Sequence, residues 1–290
     1  MRTWFEPSPA LREFVRGYLY EHPGETSRRP ILPMLETRLA FFPGAACRVF
    51  DHRLRAIDVL AHAAVIGPQT RRWVDLQPSR QLSGVFAVFR PGGFHRLFGH
   101  DASALADHAH PAADVIGPEI TGVLDRVEAA ASVEETMRVV EGYLTARLAG
   151  ARELHPVDRA AHALAAAHGG IRAWTLAEHA GLGDRHFRRR FAEHTGMPPK
   201  HYAKVARFMF AVSLKTTRPS LSWTDVSQQA GYFDQMHLVK DFKALTAAPP
   251  SALLDQLALC GFQPSDLEDP LLLAAGVPGP LVEAAGLSVA

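Results

Sequence analysis

The chain has 290 residues, of which 47% are hydrophobic, and a formal net charge of +1 at pH 7. These values are typical of a folded protein with room for two domains. Its apolar runs are too short to span a bilayer and residues 1–6 do not resemble a signal peptide, so we expect a cytoplasmic, nucleoid-associated protein without a membrane partner. Its two cysteines, Cys47 and Cys260, are too few for a disulfide framework or an all-thiolate zinc site.

The first third of the sequence predicts short strands. Residues 4–22 favour an initial helix or strand with Leu11, Phe14, Val15 and Tyr18 on its apolar face. Between residues 31 and 89, runs rich in β-branched, aromatic and aliphatic residues alternate with turn formers, at 39–42, 47–50, 63–66 and 84–89. Such alternation is typical of a β-sandwich or barrel.

Helical patterns follow the last of these runs. We expect helices at residues 101–107, 118–130 and 132–148. The third has an apolar stripe that consists of Val133, Met137, Val140, Leu144 and Leu148. We expect this stripe to pack on the core of its own domain, and pairing with a second subunit is the alternative.

The charge is unevenly distributed, because residues 155–260 contain 13 Lys and Arg against 8 Asp and Glu. Pro156 opens a predicted helix at 157–167, and a long helix is predicted at 201–215. The predicted domains are 1–150, with a β-rich core at about 1–92 and helices at about 93–149, and 157–259, joined by a linker at 151–156. Residues 260–290 form a Pro/Gly/Ala-rich tail, which we expect to dock weakly or to be disordered.

Residues 173–252 contain one pattern twice. Each copy is a short helix that ends at a glycine, Gly181 or Gly231, followed by a tight turn and a second helix, and the second copy has one extra residue, Phe233. Glycine suits the left-handed position after a helix. Alignment of the copies places the start of the first helix near Arg172 rather than at the local capping signal around Thr175. The repeat predicts two helix-turn-helix units joined by a linking helix.

The second helix of the first copy has two contrasting faces. Phe187 and Phe191 are four residues apart and share one face, and Arg185, Arg188 and Arg189 lie on the other. A basic face opposite an apolar one suits a helix in the major groove of DNA. For a single copy, a solvated basic surface helix is the alternative, and the repeat favours the DNA interpretation.

These motifs resemble the AraC/XylS family of bacterial transcription regulators over residues 155–257. The matching residues are Leu176, Ala177, Ala180, Gly181, His186, Phe187, Arg189, Phe191, Thr195, Gly196, Pro198, Pro199, Tyr202, Arg207, Ala211, Ala230, Gly231, Asp234, Gln235, His237, Lys240, Phe242 and Pro250. The sequence departs from the family pattern at Gly183, where a Ser cap is usual, at Ala247, where Gly is usual, and at Leu253, where Tyr is usual.

A second resemblance covers residues 86–99, which are similar to the end of the cupin-like sensor domain that precedes the DNA-binding domain in part of the family. Together the resemblances imply an α+β fold, in which a β-rich cupin-like domain with a helical extension is followed by an all-α domain with two helix-turn-helix units and a linking helix. They imply double-stranded DNA and RNA polymerase as partners, and a small-molecule effector or a homodimer contact at the N-terminal domain. The effector-binding residues are unknown at this stage.

The two predicted recognition helices differ in their polar groups. The residues expected to contact DNA are Arg185, Arg188 and Arg189 in unit one and Gln235, Met236, Val239 and Lys240 in unit two. Because unit two has fewer donors, we expect unit one to read most bases, Gln235 to read adenine and Lys240 to meet phosphate. Structural roles within the units are expected for Ala180, Gly181, His186, Phe187, Phe191, Gly196, Ala230, Gly231, His237 and Phe242, with both histidines pointing inward.

Fifteen histidines raise the question of a metal site. Those of the N-terminal half fall at turns, short helices or uncertain positions, and nucleophile motifs, P-loops and dinucleotide fingerprints are absent from the sequence. We therefore expect no metal, no cofactor and no catalytic residue. Two alternatives stay open: a metal-dependent β-barrel enzyme or ligand-binding protein with a vestigial DNA-binding half, and a regulator controlled only by protein contacts.

Overall fold

The computed structural model of the chain describes residues 2–22, 29–44, 47–50, 56–71, 73–78 and 83–259. Cys260 and the predicted tail at 260–290 lie outside these residues. The strands are β1 (Arg2–Phe5), β2 (Val15–Glu21), β3 (Arg29–Ile31), β4 (Arg38–Phe41), β5 (Cys47–Phe50), β6 (Ala56–Leu60), β7 (Ala63–Ile66), β8 (Trp73–Pro78), β9 (Gly84–Phe89) and β10 (Ala109–Pro111).

These strands form two antiparallel sheets. The six-stranded sheet has the order β1-β2-β9-β4-β7-β10, and the four-stranded sheet has the order β3-β8-β5-β6. Strand β4 lies at the middle of the larger sheet, where Leu39 pairs with Ala87 on β9 and with Val65 on β7. All six residues of β9 are buried, because that strand is hydrogen-bonded on both edges and packed on both faces.

The predicted strand runs at 39–42, 47–50, 63–66 and 84–89 are confirmed by β4, β5, β7 and β9. Residues 4–22 form the end of β1, a turn region at residues 6–14 and then β2, so the helical alternative for this segment is wrong. Leu11 and Phe14 lie in that turn and are buried, because the turn folds them under the sheet. Strands β6, β8 and β10 were not among the predicted runs.

Four helices follow or cross the sheets: α1 (Gly93–Phe98), α2 (Ala112–Val115), α3 (Ile120–Ala129) and α4 (Val133–Ala146). The expected helix at 101–107 is wrong, since only a 3-10 turn at Ala102–Ala104 forms there. Asp107 has a φ of 61°, and its carboxylate accepts hydrogen bonds from the backbone and hydroxyl of Thr70, at 2.8 and 2.5 Å. A helix cannot continue through a left-handed residue, so this backbone at Asp107, which Thr70 holds in place, rules out the expected helix.

The apolar stripe of α4 packs on the core of the β-rich half, as predicted. Met137, Val140 and Leu144 are buried, and Val133 and Leu148 pack against the same cluster. The stripe is therefore not available as a subunit interface in this structure.

From Pro156 to Leu259 the structure describes seven helices: α5 (Pro156–Ala166), α6 (Ala173–His179), α7 (Asp184–Thr195), α8 (Pro199–Thr217), α9 (Trp223–Gln229), α10 (Gln235–Thr246) and α11 (Pro250–Leu259). Residues 151–155 carry no helix or strand, and α5 starts at Pro156. The division into domains with a linker at 151–156 stays a prediction.

Helix α8 is the centre of this half. Its Tyr202 lies edge-on to Phe191 of α7 at 5.2 Å between ring centroids, and its Phe208 packs on Phe242 of α10 at 4.7 Å. These rings are fully buried, and they join both helix-turn-helix units to one linking helix. Leu35, from the loop before β4, belongs to the same core, so the two halves share packing.

Candidate nucleic-acid interface

The first helix-turn-helix unit is formed by α6 and α7. Helix α6 starts after Arg172, which confirms the start predicted from the repeat. It ends at His179 and is followed by Gly181, which has a φ of 65°. The amides of Gly181 and Leu182 donate to the carbonyls of Glu178 and Ala177, both at 3.0 Å. These two bonds satisfy carbonyls that the helix end leaves open, and the left-handed glycine turns the chain toward α7.

Helix α7 has one buried face and one exposed cationic face. Phe187 and Phe191 are fully buried, and Arg185, Arg188 and Arg189 are exposed. The two apolar rings anchor the helix to the core, so the guanidinium groups project to solvent from a fixed support. The apolar and the basic residues of α7 thus lie on opposite sides of the helix, as predicted from the sequence.

The arginines of α7 are held loosely. Arg188 pairs with Asp184 at 3.0 Å and Arg189 pairs with Glu193 at 3.4 Å, both one turn apart on the exposed helix surface. Exposed pairs of this kind contribute only about 0.3–0.5 kcal/mol, so phosphate or guanine can displace them. Arg185 and Arg189 also line a shallow surface depression at the start of the helix, together with Gly183, Asp184 and His186.

The prediction that His186 points inward is wrong. Its side chain is exposed beside Arg185 and Arg189 on the rim of that depression. Adjacent residues of a helix project about 100° apart, so Phe187 in the core turns His186 toward solvent. His237, its counterpart in unit two, is half-buried against the ring of Tyr232 at 5.3 Å.

The second unit is formed by α9 and α10. Helix α9 ends at Gly231, with a φ of 74°, and the amide of Tyr232 donates to the carbonyl of Ser227 at 2.9 Å. The Asp234 carboxylate accepts from the amide of His237 at 2.7 Å and caps α10. Gly183 occupies the same capping position before α7, where no side chain bonds the open amides. The two units therefore share the turn and differ in the cap.

The predicted contact residues of α10 are placed unequally. Gln235, Met236 and Lys240 are exposed. The side-chain oxygen Oε1 of Gln235 accepts a hydrogen bond from the hydroxyl of Thr224 at 3.0 Å. Val239 is half-buried and packs against the core, so its side chain is the least accessible of the set. The DNA contacts of all four residues stay predictions.

The remaining residues given structural roles lie at the turns and in the core. Ala230, Phe187, Phe191 and Phe242 are buried, Ala180 is partly buried against the same cluster, and Gly196 ends α7 with a φ of 84°. No role was predicted for Phe233 from the sequence. This side chain is 92% exposed in the turn before α10, and only its status as the extra residue of the second copy marked it in the sequence.

Comparison with known proteins agrees with this geometry. Residues 176–256 match the family model described as "Helix-turn-helix domain", which is the AraC type. The chain carries an AraC-type helix-turn-helix domain. A helix-turn-helix domain is a DNA-binding domain, so duplex DNA is the partner that this match supports.

Residues 3–111 match a "Domain of unknown function (DUF6597)". Among solved structures, ToxT from Vibrio cholerae O395 is 12% identical, with a TM-score of 0.42 over 85% of this chain and 98% of that one. ToxT from Vibrio cholerae bound to an unsaturated fatty acid is 9% identical, with a TM-score of 0.42 over 82% and 93% of the two chains. Among curated proteins, none is significantly similar to this chain.

The C-terminal end of α7 contacts the β-rich half of the chain. His194 donates from Nδ1 to Oδ1 of Asp158 at 2.7 Å, and its ring stacks on His95 of α1 at 4.1 Å. The ring of His201 donates from Nε2 to the carbonyl of Thr70 at 2.8 Å. These contacts leave the N-terminal turn of α7, with Arg185, exposed to solvent.

Three histidines near this contact have lowered pKa values. The pKa of His95 is lowered first by burial, then by His194 and Arg152, and the pKa of His155 is lowered by burial and by His194. Burial also lowers the pKa of His162, whose ring bonds the carbonyl of Pro91 at 3.0 Å. At the contact between the two halves, burial therefore disfavours the protonated form of these three imidazoles.

Within the part of the chain that the structure describes, His, Cys, Asp and Glu form no group of three or more that could hold a metal ion. Among the helices described, none is long and apolar enough to cross a membrane.

Proposed function

We propose that this regulator binds a specific duplex DNA site with both helix-turn-helix units, with α7 and α10 entering successive faces of the major groove. The observation that carries the proposal is the pair of anchored helices whose exposed sides bear Arg185, Arg188 and Arg189 on α7, and Gln235 and Lys240 on α10. Groove faces on one side of DNA recur about every 34 Å, so a spacing that differs from this would bend the site.

The two units are proposed to contribute unequally. Arginine donates two parallel bonds to guanine, and the first turn of α7 offers this group at Arg185, followed by Arg188 and Arg189. In unit two, Gln235 suits adenine and Lys240 suits phosphate, while Val239 is directed partly into the core. We therefore propose that unit one supplies most of the base recognition through guanine.

Control by the N-terminal domain belongs to the same proposal. We propose that a small-molecule effector or a homodimer contact acts on the β-rich half, and that RNA polymerase is the partner at the promoter. Contact between the halves supports a physical route, because α7 touches α1 and the 3-10 turn at Ala102–Ala104. A regulator of this type works at the nucleoid, which is where we place the protein.

Selection from a random duplex library with the full-length chain tests the proposal. We expect enrichment of a site with two elements about one helical turn apart, with guanine prominent in the element lost by Arg185→Ala. Arg138→Ala is the matched control, because Arg138 is exposed on α4 of the other half and carries the same charge. Binding without enrichment, lost uniformly as salt rises, would show that the basic surface is non-specific and would refute the proposal.

A further inference from the structure

The second unit carries an unusual apolar surface. Among the described residues, the exposed large hydrophobic side chains are Trp174 at 58%, Phe233 at 92% and Met236 at 73%. Phe233 and Met236 are three residues apart, at the turn and first helical turn of the proposed recognition helix α10. Two exposed apolar side chains this close in sequence are poorly explained by folding, because neither side chain is covered by the protein.

Phe233 precedes the capping residue Asp234, a position where an apolar side chain commonly packs on the fifth residue after it. That residue is Leu238, which is fully buried, whereas Phe233 is 92% exposed. The usual hydrophobic staple is therefore not formed. The Phe233 ring therefore lies in solvent rather than against the core.

Met236 stands where unit one has its first arginine. The capping positions Gly183 and Asp234 correspond, as do the buried Phe191 and Phe242, so Met236 on α10 corresponds to Arg185 on α7. The N-terminal residues of a recognition helix contact base edges in the major groove. At this position unit two thus offers a thioether in place of guanidinium donors.

The apolar feature of the major groove is the methyl group of thymine. We propose that Phe233 and Met236 recognise thymine methyl groups in the second element of the DNA site, so that unit two selects thymine by apolar contact. This inference rests on the proposed function. Its flanking groups favour DNA over a protein partner, because Gln235 and Lys240, both exposed, adjoin the apolar pair with polar and cationic groups suited to bases and phosphate.

The test uses the full-length chain and a duplex obtained by the selection described above. Each thymine of the second element is replaced in turn by deoxyuridine, which removes only the methyl group. Burial of one methyl group corresponds to about a fourfold change in affinity, so we expect at least one such replacement to weaken binding about fourfold. The quantity to compare is the thymine-to-uracil ratio, the affinity for the thymine duplex divided by the affinity for the uracil duplex. In Met236→Ala and Phe233→Ala this ratio should fall toward one. The circular dichroism spectrum should be unchanged, because both side chains are exposed.

Trp174→Ala is the matched control. Trp174 is the exposed aromatic residue of unit one, so its removal should leave the thymine-to-uracil ratio in the second element unchanged. If Trp174→Ala alone changed that ratio, the methyl contact would belong to unit one, and the inference would be overturned.

The remaining outcomes separate the inference from the proposed function. A library without any enriched site refutes the proposed function itself. An enriched site whose second element has no thymine, or whose thymines are replaced by uracil at no loss, refutes the inference and leaves the function standing. Variants that keep DNA affinity and the uracil effect, but fail to activate or repress transcription with purified RNA polymerase, would assign the apolar pair to a protein contact.

Discussion

The rings of His95 and His194 stack at 4.1 Å between centroids, one on α1 of the β-rich half and the other on recognition helix α7. His95 donates from Nδ1 to the carbonyl of His100 at 2.7 Å, and its Nε2 accepts from Arg152 at 3.1 Å. A carbonyl can only accept and a guanidinium can only donate, so His95 is neutral in this arrangement. Protonation at Nε2 would place a second donor against the guanidinium.

The stability of the protein should fall as the pH falls below about 6.5, the ordinary pKa of histidine. Burial lowers the pKa of His95, so between its folded pKa and 6.5 the unfolded chain binds more protons. The free energy of unfolding then rises with pH in that window, by at most about 1.4 kcal/mol per pH unit for one proton. Thermal unfolding measured from pH 8 to pH 5 checks the direction.

The groups that face His95 come from several elements. A variant that tests this account must therefore change His95 itself and leave those groups in place. They are Arg152 before α5, Asp158 on α5 and His194 on α7, together with the backbone carbonyl of His100. His95→Gln should flatten the pH dependence, and His179→Gln, at an exposed position of α6, should leave it as in the native chain. Equal pH profiles for His95→Gln and the native chain would contradict this account.

Ala247→Gly should stabilise the helical half. Ala247 ends α10 with a φ of 58°, and a left-handed backbone costs about 1–2 kcal/mol at a residue with a Cβ. Glycine loses more chain entropy on folding, so we expect a net gain of about 1 kcal/mol in the free energy of unfolding. Urea unfolding measures it, and Ala244→Gly inside the same helix is the control, with an expected loss of about 1 kcal/mol.

The equivalent position in unit one predicts the opposite sign. Gly196 ends α7 with a φ of 84°, and a Cβ there would lie 2.3 Å from Cγ of Pro68 and 3.1 Å from the carbonyl of Ala102. Gly196→Ala should therefore cost more than the roughly 1–2 kcal/mol of backbone strain alone. A gain in stability for Gly196→Ala, or a loss for Ala247→Gly, would show that the repeat ends are not governed by φ.

Gly183→Ser should strengthen the start of α7. The backbone at Gly183 has φ −65° and ψ 148°, which serine adopts freely, and a Cβ there meets no atom within 4 Å. The hydroxyl could accept from the open amides as Asp234 does for α10, and the unfolded chain would lose freedom. We expect about 0.5–1 kcal/mol of stabilisation in urea unfolding, whereas Gly181→Ser, at a φ of 65°, should destabilise.

The helix-turn-helix units were predictable because their determinants are local. Gly181 and Gly231 mark the turns, and Phe187 and Phe191 mark the buried face, each through spacing within one helix or turn. The prediction for His186 was wrong because its matched position in the repeat was taken as evidence that its side chain points inward. Its neighbour Phe187 already occupied the face that packs on the core. The sequence repeat therefore predicted the positions of the helices and turns better than the directions of their side chains.

What the sequence did not predict depends on distant segments meeting. Three contacts join residues from separate stretches of the chain: Leu35 with the helical core, His194 with Asp158, and Asp107 with Thr70. Hydrophobic periodicity carries no information on such pairs. The exposure of Phe233 is a similar case. An aromatic residue before a cap usually packs on the helix, so only the structure reveals that it does not.

Arg189→Ala should weaken specific DNA binding by about 1–3 kcal/mol and relax the base preference at one position of the first element. Arg189 is exposed on α7 and pairs with Glu193 at 3.4 Å, an exposed contact that gives way to a base at little cost. Its loss should not affect folding, since the helix is anchored by Phe187 and Phe191 on the other face. The measurement is fluorescence anisotropy on the selected duplex and on single-base variants of it.

The salt dependence distinguishes base recognition from simple charge. If Arg189 contacts a base, the slope of log affinity against log salt should stay near the native value while the preference among bases is reduced. If it contacts only phosphate, affinity should fall equally for all sequences and the slope should decrease by about one. Lys240→Ala is expected to show the second behaviour, so the pair of variants separates the two roles. Native affinity and native base preference in Arg189→Ala would remove this residue from the DNA interface.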